Sequence, residues 1–243
     1  MNEENTTIRW DAQGVPHSLL FRDKYFCTQN GYEECSYVAE EGNNLRQRFR
    51  ELNSSKPFTM IETGFGTGLS FCSAWQLFDA CAPQGAQLHF VSIELYPLSN
   101  EDLVKALGIW PVLSKYQQYL KEQYQPAAQG VREFYFNQGR VRLTLLFEDV
   151  VAALKRILDE KIAPHGADAW LLNGFSPFSN PLMWSDEVFK GMAPLSHKDT
   201  TLSTFTVASA VRKGLETHGF AVEKIKGYGT KKHVLKGMFQ RAV

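Results

Sequence analysis

Short apolar runs alternate with stretches of helical spacing from Phe58 to the end of the chain, and this alternation predicts the fold. Phe58-Thr-Met-Ile-Glu62 reads as a strand feeding the glycine-rich Gly64-Phe65-Gly66-Thr67-Gly68, and Leu69 to Phe78 carry apolar residues at helical spacing. Leu88-His-Phe-Val-Ser-Ile-Glu94 is a second strand, with helical stretches around Asn100–Leu107 and Pro111–Tyr124 behind it. Glu133-Phe-Tyr-Phe136 and Val141-Arg-Leu-Thr-Leu-Leu-Phe147 flank Asn137-Gln-Gly-Arg140, residues suited to a tight hairpin turn, and the second of the pair is assigned to the main sheet. A helix over Val150–Glu160, strands at Ala167–Leu172 and Thr201–Thr206, a helix over Ala208–His218 and strands at Phe220–Lys226 and Val234–Phe239 complete the series. This order predicts an α/β, Rossmann-like fold: a mainly parallel sheet of seven strands with helices on both faces. Residues 1–57, aromatic and charged with mixed periodicity as in Phe21-Arg-Asp-Lys-Tyr-Phe26, are expected to form an N-terminal extension packed on the main domain, 58–243.

Sheets of this kind bind ligands at the carboxyl ends of their strands, so the residues just after strands are the candidates for chemistry. Gly64, Gly66 and Gly68 follow the first strand, where glycine permits a tight turn and keeps Cβ atoms away from a ligand. Their spacing is GxGxG, and Leu69 stands where a dinucleotide fingerprint needs a third glycine or alanine, which argues against NAD and FAD. Glu94 closes the second strand and has two acceptor oxygens for the two hydroxyls of a ribose. Asp149, after Glu148, can accept from an exocyclic adenine amine or cap the helix that begins at Val150, and the two roles are compatible. Glu62 either binds the cofactor's far end or orients the glycine loop.

Composition narrows the setting. The 243 residues are 44% hydrophobic and 21% charged, the balance of an ordinary soluble domain, and no apolar run approaches the roughly 18 residues of a membrane span. Met1-Asn-Glu-Glu-Asn-Thr-Thr7 lacks the basic start and apolar stretch of a signal peptide, so a cytoplasmic location is expected. Cys27, Cys35, Cys72 and Cys81 form no CxxC pair and have no histidine at ligand spacing; neither a metal site nor a disulfide framework is expected. Net charge is zero, yet Arg212, Lys213, Lys224, Lys226, Lys231, Lys232, Lys236 and Arg241 face only Glu216 and Glu223 in the last stretch. That asymmetry fits an anionic partner, or a solvated face.

Three strings together carry a resemblance to a known family: Glu62-Thr-Gly-Phe-Gly-Thr-Gly-Leu69; Asp168-Ala-Trp-Leu-Leu-Asn-Gly-Phe-Ser-Pro177 with Asn180-Pro-Leu-Met-Trp184; and Thr204-Phe-Thr206 with Val211-Arg-Lys-Gly-Leu215. They resemble the methyltransferase half of the bacterial bifunctional enzyme that completes 5-methylaminomethyl-2-thiouridine at the tRNA wobble position. Tyr25-Phe26 before Gly31, Gly42-Asn43 with Phe49, and Lys226-Gly-Tyr-Gly-Thr-Lys-Lys232 extend the likeness over nearly the whole chain. The resemblance implies a class I methyltransferase using S-adenosylmethionine, with the tRNA anticodon loop as partner. In that family an FAD-dependent oxidase half exposes the amine to be methylated; no second nucleotide loop is present here, so no FAD is expected in this chain, and the oxidase would be fused or separate. The family usually has Asp-Gly-Phe where this chain has Asn173-Gly174-Phe175, and an Arg near Thr230.

On this reading Asn173 positions the amine by accepting from its N–H, assisted by the backbone near Gly174 and Phe175, although a simple turn-capping role for Asn173 is also open. Phe175, Phe178 and Trp184 would wall the site, with ordinary packing as the alternative for Phe178 and Trp184. Arg212, Lys231 and Lys232 would meet tRNA phosphates, and a loop base is readily unstacked onto aromatic side chains. The competing readings are a methyltransferase for a small-molecule or protein amine, a nicotinamide-dependent oxidoreductase, and a tRNA-binding homologue impaired by Asn173.

Overall fold

The computed structural model describes residues 8–27, 30–53 and 55–240; Met1–Thr7 and Arg241, used above, lie outside them. Four of the predicted strands, β4 (Phe58–Thr63), β5 (Leu88–Ile93), β7 (Val141–Phe147) and β8 (Ala167–Leu172), are buried along almost their whole length. Such near-continuous apolar runs are what a parallel sheet covered on both faces demands. With β9 (Ser196–Thr204) they form five parallel strands in the order β9-β8-β4-β5-β7. On one flank β11 (His233–Phe239) and β10 (Phe220–Lys226) add antiparallel; on the other, β6 (Gly130–Phe136) pairs antiparallel with β7. The sheet therefore has eight strands where the sequence predicts seven. The hairpin through Asn137 to Arg140 puts both arms in the same sheet, because Phe134 and Phe136 bury against the core while Arg132, Glu133 and Tyr135 face solvent.

Alternate residues on each strand feed opposite faces. Met60, Phe90, Leu143 and Leu171 join a cluster with α2 (Leu45–Arg50), α3 (Leu69–Cys81), α4 (Asn100–Leu107) and α5 (Ser114–Gln123), through Phe49, Phe71, Trp75, Leu103 and Leu120. Ile61, Val91, Leu146 and Trp170 join the opposite cluster with α6 (Val150–Asp159), α7 (Asp186–Met192) and α8 (Ser209–Thr217), through Leu154, Ile157, Phe189 and Leu215. Deleting a fully buried ring such as Trp170 removes about 3–5 kcal/mol.

The residues before Phe58 are more than a covering. They contain a small antiparallel sheet, β1 (Ile8–Trp10), β2 (Pro16–Ser18) and β3 (Asp23–Lys24), followed by α1 (Gly31–Asn43). Helix α1 lies directly on the main sheet. A Cβ at Gly42 would stand 2.3 Å from Ser203 Cβ, so only glycine allows this approach. Buried Asn43 donates to Ser203 Oγ at 2.8 Å and to the Trp170 carbonyl at 3.3 Å, and accepts from Thr201 Oγ1 at 2.7 Å. One amide thus ties α1 to two strands without leaving a polar group unpaired.

Candidate active site

The carboxyl ends of β4, β5 and β8 are in register, with Thr63 opposite Ile93 and Leu172, and a cleft of about 490 Å³ opens there. Its floor is the glycine loop. Gly64 combines φ of +87° with a place where a Cβ would come within 2.9 Å of Gly174 Cα, so any side chain would push apart the loops after β4 and β8. Gly64 and Phe65 donate their amides to the Ile93 carbonyl at 2.9 and 3.2 Å, which ties the loop to the end of β5. Gly64, Phe65, Gly66 and Thr67 line the cleft; Gly68 does not, and instead opens α3 in a left-handed conformation. The Phe65 ring is buried and stacks near Tyr124, so this residue offers the cleft mainly backbone.

Two acids stand where the sequence expects them. Glu94 accepts from Gly66 N–H at 2.8 Å and from Tyr96 N–H at 2.9 Å, bracing the loop while lining the cleft. Burial pushes its carboxyl up, and those backbone amides act in the other direction. Asp149 also lines the cleft, and its Oδ1 caps α6 through Val151 N–H at 2.9 Å and Ala152 N–H at 3.4 Å. Asp149 thus caps the helix from a position in the cleft lining.

Glu62 is different. It is 1% exposed, does not line the cleft, and lies beneath it. The parallel register sets it beside Ser92, whose hydroxyl donates to its Oε2 at 2.7 Å, while Asn173 Nδ2 donates to its Oε1 at 2.8 Å. Asn173 Nδ2 also donates to Ser70 Oγ at 3.0 Å. Both amide protons are therefore used, one on Glu62 beneath the cleft and one on Ser70 in its lining, and Oδ1 is the end left for the cavity that Asn173 lines. Burial holds the Glu62 carboxyl up at about 7, with the hydrogen bonds from Ser92 and Asn173 pulling the other way.

Of the three predicted aromatic walls, Phe175 alone lines the cleft, and it brings partners the sequence reading missed. Phe21 stacks on it with centroids 4.8 Å apart, Tyr25 meets it edge-on at 5.0 Å, and Asp23 Oδ2 accepts from Ser176 N–H at 3.1 Å. The string Phe21–Phe26 was visible as aromatic and charged, but its period says nothing about a partner more than 150 residues away. Trp184 is a support: its indole donates to the Phe175 carbonyl at 2.9 Å and its ring packs on Phe205. Phe178 is 96% exposed, outside the cleft.

The predicted phosphate ligands divide as well. Lys231 lines the cleft, pairs with Glu34 of α1 and sits over the Phe205 ring at 4.7 Å. Lys232 is exposed. Arg212 lies on α8, 3.9 Å from Glu216 and away from the cleft. Among the described residues there is no cluster of His, Cys, Asp and Glu fit to hold a metal, and no helix long and apolar enough to cross a membrane.

The glycine loop, the Glu94 that braces it and Asp149 thus line one cleft at the carboxyl ends of the parallel strands. The chain belongs to the S-adenosyl-L-methionine-dependent methyltransferase family, whose model matches residues 111–240, and S-adenosylmethionine is its cofactor. Within that class it is 47% identical over 232 residues to the tRNA 5-methylaminomethyl-2-thiouridine biosynthesis bifunctional protein MnmC of Pseudomonas syringae pv. tomato, covering 96% of this chain and 34% of that protein. The protein of the same name from Methylobacillus flagellatus is 44% identical over 233 residues, covering 96% and 35%. The chain thus spans about a third of the length of the curated relatives it matches. Its fold matches the crystal structure of MnmC2 from Aquifex aeolicus with a TM-score of 0.75 at 18% identity, over all of this chain and 73% of that one.

Proposed function

We propose that this chain methylates the exocyclic nitrogen of 5-aminomethyl-(2-thio)uridine at the wobble position of tRNA, giving the 5-methylaminomethyl form. The observation that carries the reading is one continuous cleft in which Asn173 is lined up with Glu94, Asp149 and the glycine loop. The similarity to the MnmC proteins over 96% of the chain supports the choice of substrate. Residues 58–243 form the methyltransferase domain in this reading, with the preceding segment completing its cleft, and the protein works in the cytoplasm.

When bound, S-adenosylmethionine supplies an electrophilic methyl group on a sulfonium. With it in place, a new C–N bond would form from the nitrogen lone pair as the C–S bond gave up its electron pair to sulfur, and the nitrogen would afterwards release one proton to water. Catalysis then rests on alignment. An alkylamine titrates near ~10.4 by analogy with lysine, so the nucleophile must be held deprotonated. Asn173 Oδ1 accepts from an amine N–H and aims the lone pair at the methyl carbon; it orients and does not take up the proton. Glu94 would hold the ribose hydroxyls and Asp149 the adenine amine. Phe175, flanked by Phe21 and Tyr25, offers a face for the extruded base, which a loop nucleotide gives up at low cost. Phe178 and Lys232 meet the anticodon loop outside, Lys231 stands at the cleft's edge, and Arg212 adds long-range attraction. A fused or separate FAD-dependent oxidase supplies the amine. Labelled methyl transfer from S-adenosylmethionine to tRNA from a strain lacking this step, read by nucleoside mass spectrometry, tests the proposal: label on the wobble uridine is expected, and label only on protein or small amines, or none, overturns it.

A further inference from the structure

Glu62 is a buried carboxylate with no cationic partner: no Lys, Arg or His among the described residues forms an ion pair with it. Burial of an acid without a cationic partner disfavours the fold, so its presence directly beneath a site asks for a reason. The groups around it come from four elements: Ser92 on β5, Ser70 on α3, Asn173 after β8 and Cys35 on α1, with Glu94 as the second nearby acid. The Cys35 thiol is pushed up to about 12 by burial and stays neutral. Glu94 and, beside Cys35, Glu34 are further acids nearby, but of the two groups that accept from the Asn173 amide, Ser70 and Glu62, Glu62 is the one that can carry a negative charge.

We infer that Glu62 is a positioning residue: with Ser70 it clamps Asn173 so that Oδ1 faces the amine, and its charge polarises that amide toward the reacting nitrogen. The inference rests on the methyl-transfer reading above and departs from a cofactor-binding role for Glu62. The chain of groups runs from the amine N–H to Asn173 Oδ1, through the amide to Nδ2–H, and on to Glu62 Oε1. Hydrogen bonds in series strengthen one another, so a carboxylate at the far end makes Oδ1 the better acceptor as positive charge develops on nitrogen. The arrangement also accounts for an asparagine at position 173. Two carboxylates at hydrogen-bond distance would share a proton and carry one charge between them; Asn173 beside ionised Glu62 carries the same single charge, moved one group back.

The test uses the full chain in three arms. In the first, Glu62→Gln should lower kcat on undermodified tRNA roughly 10- to 100-fold, the worth of one charge-assisted hydrogen bond, while the calorimetric Kd for S-adenosylmethionine stays within about twofold, well short of the tenfold that a lost charge contact would give. A weakened Kd with kcat preserved would make Glu62 a cofactor ligand and overturn the inference. In the second, the double variant Glu62→Gln with Asn173→Asp returns the single charge to the cluster and should recover activity relative to Glu62→Gln; a double variant as slow as the single one overturns it. In the third, the side-chain amide signals of Asn173 in free protein should shift with pH around 7 and lose that shift in Glu62→Gln, whereas signals indifferent to both overturn it. This last arm needs no tRNA. If the unaltered protein labels no tRNA, the substrate reading fails, and the amide signals still decide the role of Glu62.

Discussion

The two walls of the cleft are built on different principles. The wall proposed to hold the cofactor comes from the ends of adjacent strands and consists of backbone and two acids: Gly64 to Thr67, Glu94 and Asp149. The other wall consists mostly of side chains and joins remote segments to the end of β8, the strand beside β4: Phe21 and Tyr25 from the first residues, Glu34 from α1, Asn173 and Phe175 after β8, Phe205 and Lys231 near the end. The first wall is a property of the fold, and the second adds to one further strand end what remote segments bring. A cofactor shared by many relatives of a fold needs only what every such sheet offers, while a particular substrate needs a surface that the sheet alone does not have.

Substitutions can break this contrast. The largest effect is expected at Gly64→Val, which forces a branched side chain into φ of +87° and into Gly174; strain and overpacking together are worth roughly 2–5 kcal/mol. Calorimetry should show affinity for S-adenosylmethionine falling more than about 100-fold, with circular dichroism checking the fold. Glu62, beneath both walls, predicts a pH-dependent stability. Its folded pKa of about 7 lies above the ordinary 4.5, so the folded state holds the extra proton and loses stability as pH rises from 4.5 through 7. Glu62→Gln should raise Tm at pH 8 and leave it unchanged at pH 4, with a ceiling of roughly 3 kcal/mol; equal Tm shifts at both pH values would contradict the assignment.

Smaller effects separate the walls. Asn173→Ala should lower kcat on tRNA about 100-fold, or 2.7 kcal/mol, without moving cofactor affinity by more than about twofold; single-turnover rates and calorimetry together check both halves. Phe21→Ala removes the ring stacked on Phe175 and should raise KM for tRNA about tenfold through lost stacking and packing, about 1.4 kcal/mol. If it weakened the cofactor equally, the two-wall division would be wrong. Lys232→Ala should reduce the salt slope of tRNA binding by about one, with little change in kcat.

The legibility of the site follows the same division. Glu94 and Asp149 were readable because each follows an apolar run by one or two residues, and strand ends meet in any parallel sheet. Trp184 was left open between a site wall and ordinary packing, and its contacts give packing: its indole turns to the Phe175 carbonyl and its ring to Phe205. Lys231, read from the sequence as a phosphate ligand, is paired with Glu34 over an aromatic ring. An aromatic or basic residue has the same spacing in sequence whether it faces ligand, core or water.

By itself the sequence determined the strand and helix series, the glycine loop and the acids beside it, because period, turn chemistry and strand ends act over a few residues. Only the tertiary structure decided that the hairpin arm Gly130–Phe136 becomes an eighth strand, that α1 lies on the sheet through Gly42 and Asn43, and that Asn173 rests on Glu62. Those two residues are 111 positions apart, and Ser176 is 153 from Asp23. Contacts at such separations depend on packing that leaves no local period, so the half of the cleft built from them could be read only in three dimensions.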